Sequence, residues 1–147
     1  MERIYLDNAS TSFPKAPGVA DAVYHYISDC GCNINRGGYD EAYQAEETVL
    51  HTRQLLSELF HGPDCRNVVI TRSITESLNV LLKGFLKPGD HVLVSTMEHN
   101  AVMRPLTQLQ SQGVTFDRIP CAPDGTLDTA AMEGLLRPET RAVVMLH

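Results

Sequence analysis

The sequence predicts an α/β fold, in which a parallel-stranded sheet has helices on its faces. Short apolar runs rich in β-branched residues recur in the second half of the chain, with helical patterns between them. This alternation favours parallel strands joined by right-handed crossovers. The first, second and last runs are continuously apolar, which is typical of strands covered on both faces. The expected strands are residues 68–70, 92–94, 114–119 and 143–146.

The helices expected between these strands have local signals. The first repeats apolar residues at three and four positions from Ile74 and stops in the turn at residues 86–90. The second is expected to begin with Pro105 in its first turn and to end before Gly113. Asp128 is expected to cap the third helix.

The N-terminal part has a different organisation. A polar loop at residues 7–17 precedes a helix expected at about residues 18–29. A longer helix is expected at about residues 41–60, where Ala42 and Ala45 begin an apolar stripe.

Composition limits the classes of protein to consider. The 147 residues are 43% hydrophobic and 20% charged, as in one soluble globular domain. The formal net charge is -6 and the basic residues are scattered, which disfavours nucleic acid and anionic membranes as partners.

The N-terminus and the cysteines indicate the cellular compartment in which the protein is expected. Met1-Glu2-Arg3 leads into a polar loop without the apolar stretch of a signal peptide or a membrane span. We therefore expect a cytoplasmic protein with reduced cysteines that have no special role. The four cysteines do not make a disulfide framework, and Cys30 and Cys32 lack the usual spacing of zinc ligands.

The turn before the first expected helix has the features of an anion site. Amide groups at a helix start lack intrahelical partners, and the hydroxyls of Ser73 and Thr75 are placed beside them. The helix dipole favours a phosphate there by up to ~2 kcal/mol. Ser73 followed by Glu76 also fits a capping box that merely closes the helix. The residues alone leave both interpretations open.

Two other segments carry candidate functional side chains. His99 follows the second expected strand, where an imidazole could stack on a planar ring or transfer protons. A histidine in such a place is more often a surface or hydrogen-bonding residue. Asn35 and Arg36 precede two glycines in a loop whose cation could meet a carboxylate or a phosphate, although an ordinary glycine turn fits equally well.

Five segments have distinctive sequences. In content and in order along the chain they resemble the cysteine desulfurase branch of the class V aminotransferases. The resemblance covers almost all 147 residues. The segments are YLDNAST at 5–11 with Pro14 and Lys15, NRGG at 35–38, TESLN at 75–79, KG at 83–84 with KPGDHV at 87–92, and EHNAV at 98–102 with RPL at 104–106.

The resemblance implies an aspartate-aminotransferase-like structure of fold type I that binds pyridoxal 5'-phosphate in its large domain. It implies that His99 is a catalytic residue stacked on the pyridine ring, and that Thr75 and the backbone of Ile74 hold the phosphate. No metal is expected. The residues implied to line the substrate pocket are Ala9, Ser10, Thr11, Asn35 and Arg36.

The activity implied for the intact enzyme is removal of sulfur from L-cysteine, which gives alanine and an enzyme-bound persulfide for a sulfur acceptor. A homodimer is also implied. Selenocysteine lyase and other class V transaminations use the same scaffold. A non-catalytic, truncated homologue that serves as a binding or assembly module is the main alternative. A nucleotide-binding α/β domain is less favoured, because no glycine-rich fingerprint or P-loop follows a strand.

The resemblance also implies that essential residues lie beyond His147. These are the Schiff-base lysine, the aspartate beside the pyridine nitrogen, the sulfur-accepting cysteine and the arginine for the substrate carboxylate. A Schiff base needs a lysine in the pocket, and Lys15, Lys83 and Lys87 are not placed for it. We therefore expect the chain to be a fragment that is inactive alone.

The expected domains follow from this resemblance. Residues 1–60 are expected to form an N-terminal loop and helices, and residues 61–147 a partial, incomplete cofactor-binding large domain. In the family's sheet, the strand at residues 68–70 is reached only through strands supplied later in the chain. Since unpaired strand edges invite association, we expect the chain to oligomerise, to be complemented by a second polypeptide, or to derive from a longer protein.

Overall fold

The computed structural model describes residues 4–145. Met1-Glu2-Arg3, the predicted strand residue Leu146 and His147 lie outside the described residues. The chain divides into two compact units between Val69 and Ile70.

The first unit is helical. Helix α1 (Val19–His25) continues into one π-helical turn (Tyr26–Cys30), and helix α2 (Asp40–Leu59) contacts that turn and a 3-10 turn (Cys65–Asn67). Both helices expected in this part are therefore confirmed. Ala42 and Ala45 are buried on α2, as the predicted stripe requires, whereas Leu59 at its end is exposed.

The second unit contains the predicted sheet, and the α/β fold class is confirmed. Its three strands are parallel in the order β2-β1-β3, with β1 in the centre. Among the helices of the described residues, none combines the length and apolar character needed to cross a membrane. The elements of this unit are α3 (Ile74–Phe85), β1 (His91–Ser95), α4 (Asn100–Gln110), β2 (Thr115–Ile119), α5 (Thr129–Leu135) and β3 (Thr140–Val144).

The core of this unit lies against β1. All five residues of β1 are buried, and Val92 and Val94 pack in one cluster with Leu82 of α3 and Leu106 of α4. The continuous apolar run in the sequence is explained by this burial, because a central parallel strand is covered on both faces. The cluster fixes α3 and α4 beside each other, with their N-terminal halves next to a common cleft.

The strand expected at residues 68–70 is not formed. Val68 has an extended backbone, but the segment pairs with no strand among the described residues, and Val69 is 77% exposed. A strand needs a neighbour because its amide and carbonyl groups pair between strands. Among residues 4–145 this apolar run has no neighbouring strand, as the family resemblance led us to expect.

The expected start of the second helix at Pro105 is wrong. Helix α4 begins at Asn100, and Pro105 lies inside it and is buried. Its missing amide would otherwise pair with the carbonyl of Ala101, so the helix loses one internal hydrogen bond. A cap by His99 and the burial of Leu106 and Leu109 on the core side hold the helix despite this loss.

The last strand differs from the expectation of burial on both faces. In β3, alternate residues are exposed, and Val143 is 42% exposed. Ala142 and Val144 on one face of β3 pack against the core cluster, whereas Arg141 and Val143 lie on the other, exposed face. The cap expected at Asp128 is confirmed, since its carboxylate accepts a hydrogen bond from the amide of Ala131 at 2.9 Å.

Candidate functional site

A cleft of about 510 Å³ lies between the N-terminal halves of α3 and α4. It brings Thr75 and His99 together, two residues that the sequence analysis placed in one site. The loop that carries His99 follows the carboxyl end of β1, where ligands of open parallel sheets bind. The lining residues are Thr75, Asn79, His99, Asn100, Ala101, Arg104, Pro105 and Gln108.

The start of α3 combines a cap with free amide donors. The hydroxyl of Ser73 accepts a hydrogen bond from the amide of Glu76 at 3.2 Å, so the capping interpretation is confirmed. The amides of Ile74 and Thr75, at the first two helical positions, have no acceptor among residues 4–145. The cap by Ser73 therefore does not exclude an anion at the start of α3, because the two free amides remain as hydrogen-bond donors to that anion.

Arg72 fixes the turn in front of α3. Its amide donates to Glu76 Oε2 at 2.9 Å, and its guanidinium donates to both carboxylate oxygens of Glu76 at 3.3 and 3.2 Å. The hydrogen bond from the Arg72 side chain, followed by that from its backbone, lowers the pKa of Glu76. The negative charge nearest to the start of α3 is thus paired with a cation, which reduces its repulsion of an anion.

His99 is the N-cap of α4. Its Nδ1 accepts a hydrogen bond from the amide of Ala101 at 3.0 Å. Since Nδ1 is the acceptor, the neutral ring carries its proton on Nε2. The ring is exposed and lines the cleft, so Nε2–H is available to a bound group.

The loop before His99 is held by Ser95 and Glu98. The hydroxyl of Ser95, a buried residue, donates to Glu98 Oε1 at 2.7 Å and accepts from the amide of Met97 at 3.2 Å. This fixes the end of β1 relative to the start of α4. The sequence analysis did not assign a role to Ser95. The available signal was a serine at the end of an apolar run, followed three residues later by Glu98.

The sequence analysis also missed polar residues on the two helices. Asn79 lies one turn after Thr75 and donates to its backbone carbonyl at 2.9 Å. Asn100, Arg104 and Gln108 recur at intervals of four on α4 and line the same cleft. The signal was this spacing, which puts residues on one face of a helix.

The N-terminal loop forms an ordered turn in the first unit. The amides of Ser10 and Thr11 donate to the carbonyl of Asp7 at 3.1 and 3.3 Å. The hydroxyl of Tyr5 donates to the carbonyl of Thr11 at 2.9 Å, and the side chain of Lys15 binds the Thr11 hydroxyl. Ala9, Ser10 and Thr11 are all exposed on this turn.

Asn35 and Arg36 lie on a second exposed segment of the same unit. Asn35 has a φ of 75°, a left-handed conformation that asparagine tolerates better than most residues. An added Cβ at Gly37 would come within 2.3 Å of the Tyr39 ring, so a larger residue would force that ring to move. Arg36 makes no ion pair within residues 4–145, so its charge is available to an anion.

The cleft of the second unit fits pyridoxal phosphate in size and charge. Its volume lies in the range of small-molecule sites. Its lining includes the cation Arg104 and no carboxylate, and Thr75 at the start of α3 contributes to it. The side chain of Ile74 is 72% exposed and does not line the cleft, so only its backbone can take part.

Comparison with known proteins gives matches along nearly the whole chain. The family model described as "Aminotransferase class-V" matches residues 4–147. A probable cysteine desulfurase of Vibrio cholerae is 32% identical over 149 residues, which is 98% of this chain and 37% of that protein. The chain therefore spans little more than a third of this relative.

Solved structures give the same result for the fold. The apo structure of a cysteine desulfurase from Thermococcus onnurineus matches with a TM-score of 0.82 and 25% identity, over 97% of this chain and 36% of that one. A mutant of the protein C-DES, with glycine covalently linked to its pyridoxal phosphate cofactor, matches with a TM-score of 0.62 and 25% identity. That match covers 85% of this chain and 32% of the other.

Proposed function

Because the chain belongs to the class-V aminotransferase family, we propose that it supplies the phosphate-binding helix start and the ring-stacking histidine of a pyridoxal-phosphate-dependent cysteine desulfurase. The observation that carries the proposal is one cleft shared by Thr75, His99 and Arg104. The names of the relatives support L-cysteine as substrate.

In this proposal the start of α3 binds the phosphate. The amides of Ile74 and Thr75 and the hydroxyl of Thr75 donate hydrogen bonds to phosphate oxygens, and the helix dipole adds to this attraction. Hydrogen bonds to a charged group contribute about 1.5 to 3 kcal/mol each. Ser73 caps the helix through the amide of Glu76 and does not contact the ligand itself.

His99 has the second role. Its Nδ1 is held by the amide of Ala101, which fixes the ring against α4 and leaves Nε2–H for a proton transfer or a hydrogen bond. The ring face can stack on the pyridine ring. Pyridoxal phosphate, when bound, supplies the electron-withdrawing ring that makes such chemistry on amino acids feasible.

The two exposed segments of the first unit are proposed to contact the substrate. Ala9, Ser10 and Thr11 offer a hydroxyl-rich turn, and Asn35 and Arg36 offer an amide and a cation suited to a carboxylate. A homodimer, a sulfur acceptor, a cytoplasmic location and the two-part organisation, with residues 1–60 as an N-terminal part, belong to the same proposal.

The test is binding of pyridoxal phosphate to the protein, measured by equilibrium dialysis. We expect Thr75→Val to weaken binding by about tenfold, since one charge-assisted hydrogen bond is lost. Inorganic phosphate should compete with the ligand. Pyridoxal, which lacks the phosphate, should bind wild type and variant equally.

Ser73→Ala is the matched control, because it removes the cap and leaves both free amides. It should keep the affinity of the wild type. Equal affinity of Thr75→Val and wild type would contradict the proposed phosphate site. Absence of pyridoxal phosphate binding by the wild-type protein would instead favour the alternative, a non-catalytic binding module.

A further inference from the structure

Two sulfur atoms lie together in the first unit. The Sγ atoms of Cys30 and Cys32 are 3.3 Å apart and share a hydrogen bond. The intervening Gly31 has a φ of 50°, in the left-handed region that favours glycine. This turn, at the end of the π-helical segment, is what brings two side chains separated by one residue to the same side.

The surrounding structure holds both cysteines in place. The hydroxyl of Tyr26 donates to the carbonyl of Cys32 at 2.6 Å. The Cys30 thiol donates to the carbonyl of Glu41, at the start of α2, with a separation of 3.5 Å. The Cys30 sulfur and the Cys32 backbone are therefore held by helical segments, and a closer approach of the two sulfurs would bring them to the bond length of a disulfide, about 2.05 Å.

Small molecules can reach the pair. Both cysteines are half-buried, and Cys32 lines a cleft of about 440 Å³. The hydrogen bond with Cys30 raises the pKa of the Cys32 thiol, so Cys32 holds its proton more tightly than a free cysteine does. Such proton sharing favours one thiolate in the pair over two.

A metal site is a poorer explanation of the pair. Within residues 4–145, no group of three or more histidine, cysteine, aspartate or glutamate side chains is arranged to hold a metal ion. Zinc sites in proteins normally use at least three such ligands. The two sulfurs are instead close enough to form a disulfide bond with each other after a closer approach.

We propose that Cys30 and Cys32 form a redox-active dithiol that exchanges with low-molecular-weight disulfides. One thiolate attacks a sulfur of the small disulfide, forming a mixed disulfide and releasing one small thiolate. The neighbouring thiol then loses its proton and attacks the protein sulfur, which releases the second small thiolate. The protein dithiol loses two electrons and two protons, and the small disulfide becomes two thiols.

The bond is expected to be reversible. A disulfide across a single residue closes a tight ring, and strained disulfides are easily reduced. Disulfides of reducing compartments are usually transient and redox-active, in contrast to those of secreted proteins. The proposal needs only residues of the first unit, so it is independent of the proposed cofactor site.

The experiment treats the protein with glutathione disulfide, blocks remaining thiols with an alkylating reagent, and analyses the tryptic peptide that ends at Arg36 by mass spectrometry. This peptide contains both Cys30 and Cys32. We expect it to be lighter by two hydrogens and to carry neither glutathione nor the alkyl group. Reduction by dithiothreitol before blocking should restore alkylation at both positions.

Cys30→Ser and Cys32→Ser test the second step. Each variant should retain glutathione on the remaining cysteine, because no neighbouring thiol is present to displace it. A Cys65→Ser, Cys121→Ser double variant should behave as wild type. The proposal is overturned if the wild-type peptide stays fully alkylated, or if it carries stable glutathione as the single variants do.

Discussion

The imidazole of His99 caps a helix through Nδ1 and has its N–H group, at Nε2, available to a ligand. Its Nδ1 caps α4 through the amide of Ala101, while the exposed ring lines the cleft. A substitution therefore affects the stability of the helix and the proposed stacking together. The two effects can be separated, because asparagine is a good N-cap and has no ring.

We expect His99→Ala to lower the free energy of unfolding by about 1 kcal/mol and to weaken pyridoxal phosphate binding. His99→Asn should restore the stability but not the affinity. Urea unfolding and equilibrium dialysis measure the two quantities. If asparagine restored both, His99 would be a cap only, and the proposed contact with the cofactor would be wrong.

The pair of Arg72 and Glu76 gives a pH dependence at the residue scale. Arg72 lowers the pKa of Glu76 below its usual value of 4.5. A carboxyl group whose pKa is lower in the folded state stabilises the fold above its unfolded pKa. That contribution is lost as the pH falls through the folded pKa.

Arg72→Gln should therefore reduce stability at pH 7 and raise the pKa of Glu76, and the difference from wild type should shrink at acid pH. Urea unfolding between neutral pH and pH 3, with an NMR titration of the Glu76 carboxyl, measures both effects. Arg118→Gln is the control, since Arg118 has no ion pair among the described residues. A constant difference across the pH range would show that the ion pair does not contribute.

At the scale of elements, a buried histidine at the start of β1 lies close to side chains of both neighbouring strands. His91 of β1 is 1% exposed, and its Nδ1 contacts the hydroxyl of Thr140 on β3 at 2.8 Å. That hydroxyl also accepts the amide of Arg137 at 2.8 Å. Nε2 lies 3.3 Å from Asp117 of β2 without a well-aligned hydrogen bond. Thr140 is thus the main hydrogen-bond partner of this buried ring.

Thr140→Val should destabilise the protein by about 1 to 3 kcal/mol, because it leaves Nδ1 of His91 buried without a partner. Thr115→Val is a matched control. Thr115 occupies the register position beside His91 on β2 but is exposed. Thermal unfolding of the two variants should differ clearly, and equal melting temperatures would show that the hydrogen bond to Thr140 is unimportant.

At the scale of the whole molecule, the described residues leave apolar surface and strand edges open. Ile27 on the π-helical turn is 72% exposed, and Val69 is 77% exposed. In the sheet, β2 and β3 each have one neighbour, so each has an open edge. Open edges and exposed apolar residues promote association.

We expect the protein to associate with increasing concentration in sedimentation velocity experiments. Val143→Lys on β3 should weaken this association, because a lysine on an edge strand opposes pairing. Gln112→Lys adds the same charge at an exposed position outside the strands and should change little. A monodisperse monomer that unfolds cooperatively would contradict the prediction.

The sequence by itself determined the elements whose signals are local. The apolar run of β1, the caps at Ser73 and Asp128 and the periodicity of α3 depend on near neighbours along the chain, so the pattern predicts them. Thr75 and His99 could be placed in one site because the segments at residues 75–79 and 98–102 resemble those of the cysteine desulfurase branch.

Only the tertiary structure decided features that depend on distant partners. Pro105 lies inside α4 because core burial and the His99 cap hold the helix around it. The approach of Cys30 and Cys32 depends on a left-handed turn at Gly31. Strand pairing, burial and close sulfur contacts are properties of the folded chain in space, and local sequence patterns do not contain them.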